Sequence, residues 1–311
     1  MTKHLHRDED LTLNDYSIES LYNLSRKSKK ICLSGEGDPL VVWNNIIELI
    51  KKGAFNSHYD LITSSYWNSK KTNDFLTILN KICEENKSSL SYRISIDEFH
   101  ESETKRDILA TLLDIFTIRK YDNINLQIRS VTGQEEYVFE RIKNHLKKGQ
   151  ISYDINKINE IEYKLTFNEI VVKMQFKPTV FPSNFDYIDD WVLDKYVDFL
   201  ERSRKTEFHI GLLEYSLNKK VYDVTINPNG DVVLYGLEPY ILGNITKEVF
   251  SYELINERVE ENEFLRYFTK TRFMEIINEW RLDKKRESVI KAVNNPFWVV
   301  RNLHKHKLLN N

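Results

Sequence analysis

The first half of the chain repeats one pattern four times: a short apolar run, a loop, and a segment with apolar residues at helical spacing. The runs at 30–34, 59–64, 90–96 and 124–131 read as strands. The segments at 41–52, 72–85, 104–119 and 134–148 read as helices, the first of them through Val42, Trp43, Ile46, Ile47 and Ile50. A further helical segment, 14–27, precedes them with Tyr16, Ile18, Leu21, Tyr22 and Leu24 in phase. Four strand–helix units of about 30 residues, each strand taken as a continuous β-branched run, predict an α/β fold with a parallel sheet covered by helices. In such sheets chemistry gathers at the carboxyl ends of the strands. The loops 34–39, 64–69, 97–103 and 129–135 are therefore where a site is expected.

Beyond about residue 155 the pattern changes. Two strands are expected within 161–176, a turn-rich joint at Lys177-Pro178-Thr179-Val180-Phe181-Pro182, and a helix over 187–202. Strands follow at 208–215 and 221–226, then the hairpin turn Asn227-Pro228-Asn229-Gly230-Asp231, a return strand at 232–235, and mostly helix to the end. The expected division is 1–155 and 156–311, the second part continuing the first and adding an α+β domain.

Composition narrows the function classes. With 45 Lys+Arg against 47 Asp+Glu the formal net charge is −2, so no excess of positive charge suggests a protein that neutralises nucleic-acid phosphates. No apolar run reaches the roughly 18 residues of a membrane span. The segment Met1-Thr2-Lys3-His4-Leu5-His6-Arg7 has no apolar core of a signal peptide, and the expected location is the cytoplasm. Two cysteines, Cys32 and Cys83, lie far apart with no Cys or His at ligand spacing, which excludes a disulfide framework and an all-cysteine metal site within this chain. No metal ligands and no catalytic residue are assigned.

Three of the loops carry groups suited to a ligand. In Ser34-Gly35-Glu36-Gly37-Asp38-Pro39-Leu40 two glycines allow close backbone approach and the acids suit an ammonium; the same residues also make a tight strand-to-helix turn. Ser95-Ile96-Asp97-Glu98-Phe99-His100 ends the third run, where Asp97 suits a ribose or substrate hydroxyl; an acidic cluster at a helix start is the other reading. Arg129 ends the fourth run as a fork for a carboxylate, or as an ion-pair partner of Glu135 or Glu136. Ser64 stands at the end of the second run.

Taken together, the Gly-rich loop after 31–33, Ser64, the Ser95–Asp97 segment and Arg129 resemble the radical S-adenosylmethionine (SAM) enzymes. That resemblance implies a partial (β/α)6 TIM-like barrel. Gly35, Glu36, Gly37 and Asp38 would hold the SAM amino group, Ser95 and Asp97 the ribose, and Arg129 the carboxylate, with Ser64 nearby. Val224-Thr225-Ile226-Asn227-Pro228-Asn229-Gly230-Asp231-Val232 followed by Leu242-Gly243-Asn244-Ile245 resembles the SPASM/twitch-like extension of peptide- and protein-modifying members. The likeness covers roughly residues 10–250.

The departure is at the cluster. The family holds a [4Fe–4S] cluster through Cys-x3-Cys-x2-Cys after its first strand, and this chain has neither that motif nor that strand. Tyr235-Gly236 stands where members with an auxiliary cluster carry Cys. The expectation is a radical SAM-type chain that begins at an internal Met. Complete, such a protein would bind SAM and a peptide, protein or other substrate; in this chain SAM binding is expected to be weakened or absent, with no ligation of the cluster and no radical chemistry. The alternative is a catalytically inactive binding or interaction subunit.

Overall fold

The computed structural model describes residues 14–28, 30–34, 38–98, 107–177, 192–216 and 219–309. Helix α1 (Asp15–Lys27) leads to β1 (Ile31–Leu33), a 3-10 turn (Pro39–Val42) and α2 (Trp43–Lys52). Then come β2 (His58–Thr63), α3 (Ser69–Glu85), β3 (Ser89–Ser95), α4 (Ile108–Ile118), β4 (Ile124–Val131) and α5 (Glu135–Lys148). Three strands close this part: β5 (Tyr153–Lys157), β6 (Glu162–Phe167) and β7 (Ile170–Lys177). The sequence pattern anticipates these except the 3-10 turn, whose Val41 and Val42 it places in the helix, and β5, whose Tyr153-Asp154-Ile155-Asn156-Lys157 buries little and sits at the sheet edge.

The fold is α/β with a mostly parallel sheet in the order β1-β2-β3-β4-β7-β6-β5. Strands β1 to β4 lie in chain order and parallel, β7 joins β4 in parallel, and β6 and β5 follow antiparallel. Sequential order with crossovers of one hand puts the crossover helices on one face, and the core lies on that face. Tyr59 and Leu61 of β2, Leu90, Tyr92 and Ile94 of β3, Leu126 and Ile128 of β4, and Met174 and Phe176 of β7 pack with residues of α2 to α5.

This corrects the expectation of continuous apolar strands. The intervening residues, Asp60, Ser91, Arg93, Gln127, Arg129, Lys173, Gln175 and Lys177, face the other way, so the strands alternate with period two. One face of the sheet is core and the opposite face is polar.

Contacts divide the described residues into two compact units, Leu21–Lys177 in one, and the first turns of α1 through Ser20 with the residues beyond Lys177 in the other. The second unit holds α6 (Leu193–Arg204), the hairpin β8 (Leu212–Ser216) and β9 (Lys219–Tyr222), and a small sheet of β10 (Val224–Ile226), β11 (Asp231–Leu234) and β12 (Gly243–Asn244). Helices α7 (Tyr252–Glu261), α8 (Glu263–Lys270), α9 (Phe273–Trp280), α10 (Lys284–Lys291) and α11 (Pro296–Lys305) follow. The single strand expected at 221–226 is two, because Asp223 leaves the ladder and donates its N–H to the Gly211 carbonyl at 2.9 Å. The Asn-Gly turn forms as expected: Gly230 has φ +87° and its N–H meets the Asn227 carbonyl at 2.8 Å.

Gly243 is the tightest point of this unit. Its φ is +148°, and a Cβ there would lie 2.2 Å from Arg258 Nη1 and 2.6 Å from Glu248 Oε1. Those two side chains are an ion pair, and Arg258 also donates to the Leu242 carbonyl. Gly243→Ala is expected to cost about 2–3 kcal/mol through backbone strain and displacement of that pair. A urea titration checks it; an unchanged midpoint would mean the pair relaxes freely.

Candidate functional site at the strand ends and on the polar sheet face

Asp38 ties the loop after β1 to the end of β2. It precedes the 3-10 turn in extended conformation, and its Oδ1 accepts the Leu40 N–H at 2.9 Å, as a helix cap does. The same carboxylate accepts the Thr63 hydroxyl at 2.7 Å, the Ser64 N–H at 2.7 Å, and the Ser64 hydroxyl. Thr63 Oγ1 in turn accepts the Ser65 N–H at 2.8 Å, and Ser65, with φ +53°, pairs its hydroxyl with Tyr92 Oη at 2.7 Å. Trp67 fills the next position, edge-on to Phe75 at 5.3 Å with Lys71 Nζ 4.0 Å over its ring, and Asn68 caps α3. The β2–α3 loop is thus tied down along its length, and Tyr66 meets Trp67 edge-on at 6.2 Å.

Asp38 and Ser64 are therefore brought together. Ser95 and Arg129 are also neighbours, opposite each other in the β3/β4 register, with the Ile96 N–H on the Arg129 carbonyl at 2.8 Å. Asp97 follows on the same strand end and is buried. Gly35, Glu36 and Gly37 lie outside the described residues, as do His100 and most of the 97–103 loop.

The polar face carries charged groups that the sequence reading left out. Asp60, 1% exposed, binds Lys30 Nζ at 2.5 Å and the Arg93 guanidinium, while its Oδ1 faces His58 Nε2 at 3.4 Å. His58 also meets Ser89 at 2.8 Å and Ser91 at 3.1 Å, and Ser91 accepts from Gln127 at 2.7 Å. Burial raises the Asp60 pKa, but hydrogen bonds from His58 and Lys30 and the charges of Arg93 and Lys30 outweigh it and hold the carboxyl far below its usual range.

On β7, Lys177 is affected in the opposite sense. Burial, then the positive charges of Arg129, Arg93 and Lys30, push its ammonium down to about 7. Registers place these groups on a diagonal: Asp60 is level with Ser91, two positions before Arg93; Arg93 with Gln127, two before Arg129; Arg129 with Gln175, two before Lys177. Each step is one strand across and two residues along, about 8 Å between Cα atoms. The sequence signal for this row is the period-two alternation itself, which sets a charged residue between core residues in each strand.

Among the described residues no group of three or more His, Cys, Asp or Glu side chains is placed to hold a metal ion. Among the same residues no helix is long and apolar enough to cross a membrane. No protein-family model matches the chain, and no curated protein matches it.

Proposed function

We propose that this chain is a radical SAM-type protein whose sheet is part of a (β/α)6 TIM-like barrel, with a SPASM/twitch-like second unit. The observation that supports the reading best is the sheet: parallel strands in chain order with helices on one face, the layering of a βα-barrel wall, and an opposite face whose polar groups suit a ligand site. The strand ends carry the paired groups Asp38–Ser64 and Ser95–Arg129. In this reading the loop of Gly35, Glu36, Gly37 and Asp38 meets the SAM ammonium. Ser95 and Asp97 meet the ribose, Arg129 meets the carboxylate, and Ser64 fixes Asp38. A peptide or protein is the substrate class that the second unit's motifs suggest, and the cytoplasm is the proposed location.

The cluster does not fit this chain. A [4Fe–4S] site needs three thiolates, and the two cysteines are Cys32 on β1 and Cys83 buried in α3. No radical step is assigned to the chain alone.

Calorimetry with SAM tests the reading. Weak, saturable binding is expected, weakened further by Asp38→Ala and Arg129→Ala, each shown to be folded by circular dichroism. Absence of binding by the folded wild-type chain would overturn it in favour of an inactive interaction subunit. That second reading draws on an aromatic hollow of about 170 Å³ in the second unit, lined by Tyr240, Phe264, Tyr267, Phe268 and Trp280 with Glu279 at its side.

A further inference from the structure

We infer that the diagonal of Arg93, Arg129 and Lys177, with Lys30 at its lower end, is a binding site for an anionic group, a carboxylate or a tetrahedral oxyanion. Lys30, Arg93, Arg129 and Lys177 lie along the sheet face that carries Asp60, while farther along the same face Lys173 is already paired with Glu162 at 2.7 Å. Asp60 is already held by Lys30 and Arg93. Arg93 Nε is buried with no hydrogen-bond partner, and Lys177 Nζ has neither a hydrogen bond nor an ion pair among the described residues. Arg129 has interactions of its own.

A half-buried row of cations is costly to keep unless a ligand completes it. Neighbouring members stand about 8 Å apart at the backbone, a span that two long side chains close around one anion with an oxygen for each. Lys177 answers the unliganded state by giving up its proton near neutrality, and a bound anion would restore it. Anion binding is thus coupled to uptake of a proton by Lys177. The neighbouring Ser91, Gln127 and Gln175 are already engaged, Gln127 with Ser91 and Gln175 with Glu162.

The site does not depend on the SAM reading, since both the carboxylate of SAM and an acidic group on a separate substrate supply this chemistry. The test uses the full chain at pH 7 with sulfate and acetate, neither of which titrates there. Calorimetry in two buffers of different ionisation enthalpy is expected to show saturable binding with uptake of roughly half a proton per anion. Lys177→Met is expected to weaken it by at least about tenfold. Lys177→Arg is expected to keep the binding and abolish the proton uptake.

No saturable heat with either anion, or binding by folded Lys177→Met equal to wild type, overturns the inference. Competition then separates the sources. Displacement of sulfate by SAM but not by methylthioadenosine, which lacks the carboxylate, assigns the anion to SAM; displacement by neither assigns it to an acidic substrate. SAM binding is measured directly as well, so the failure of one proposal is distinguishable from the failure of the other.

Discussion

Replacing Asp60 by alanine is expected to lower the unfolding free energy by about 3–5 kcal/mol, the cost of stranding buried cations. Among the described residues Asp60 is the carboxylate against which Lys30 and Arg93 are held, and it is 1% exposed, so solvent offers little substitute for it. Arg93 carries most of the effect, because its side chain is 11% exposed where that of Lys30 is 45% and screened by water. A chemical-denaturation midpoint that falls with unchanged slope is the expected reading. A shift under about 1 kcal/mol would mean the cations repack or recruit solvent.

The same carboxylate sets an acid limit. Its folded pKa lies below its unfolded value of about 3.9. The unfolded chain therefore takes up the proton first as pH falls. The stability due to Asp60 is complete above about pH 4 and is lost in strong acid, and Asp60→Asn should flatten that part of the profile.

Asp38→Ala is the second large effect, expected at about 2–4 kcal/mol. It removes a cap, worth about 1 kcal/mol, and hydrogen bonds to a charged acceptor worth about 1.5–3 kcal/mol. Asp38→Asn keeps an acceptor for Leu40 and Thr63 but turns an amide N–H2 toward the Ser64 N–H, so it should recover only part of the loss. Equal midpoints for wild type and Asp38→Ala would show that the turn holds without its clamp.

Much of the first unit was legible because strands and helices leave different spacings. Ile124–Val131 is found with the boundaries its composition suggests, and α3 and α5 differ from expectation only at their first turns. The sidedness of the sheet was less visible. In Ser89-Leu90-Ser91-Tyr92-Arg93-Ile94-Ser95 the alternation is plain once sought. Ile31-Cys32-Leu33 and Leu61-Ile62-Thr63 look apolar throughout, and they drew the reading toward a sheet buried on both faces.

That reading concealed Asp60, Arg93 and Lys177. A lone charge inside an apolar run says nothing of its neighbours until the register sets the strands side by side. Asp38 was legible as a loop acid, but not as a clamp. Its partners Thr63 and Ser64 lie 25 and 26 positions away, and their hydroxyls carry no pattern of their own.

The clamp also changes what kind of loop the segment before α2 is. Turns between a strand and a helix ordinarily open on their own, with small free energies and independently of the sheet. Here the Leu40 and Ser64 amides point at one carboxylate, so neither end is released without disturbing the other. The 3-10 turn and the end of β2 consequently open together, as one cooperative unit. A ligand seated at these strand ends would meet a floor whose local motions are those of the sheet.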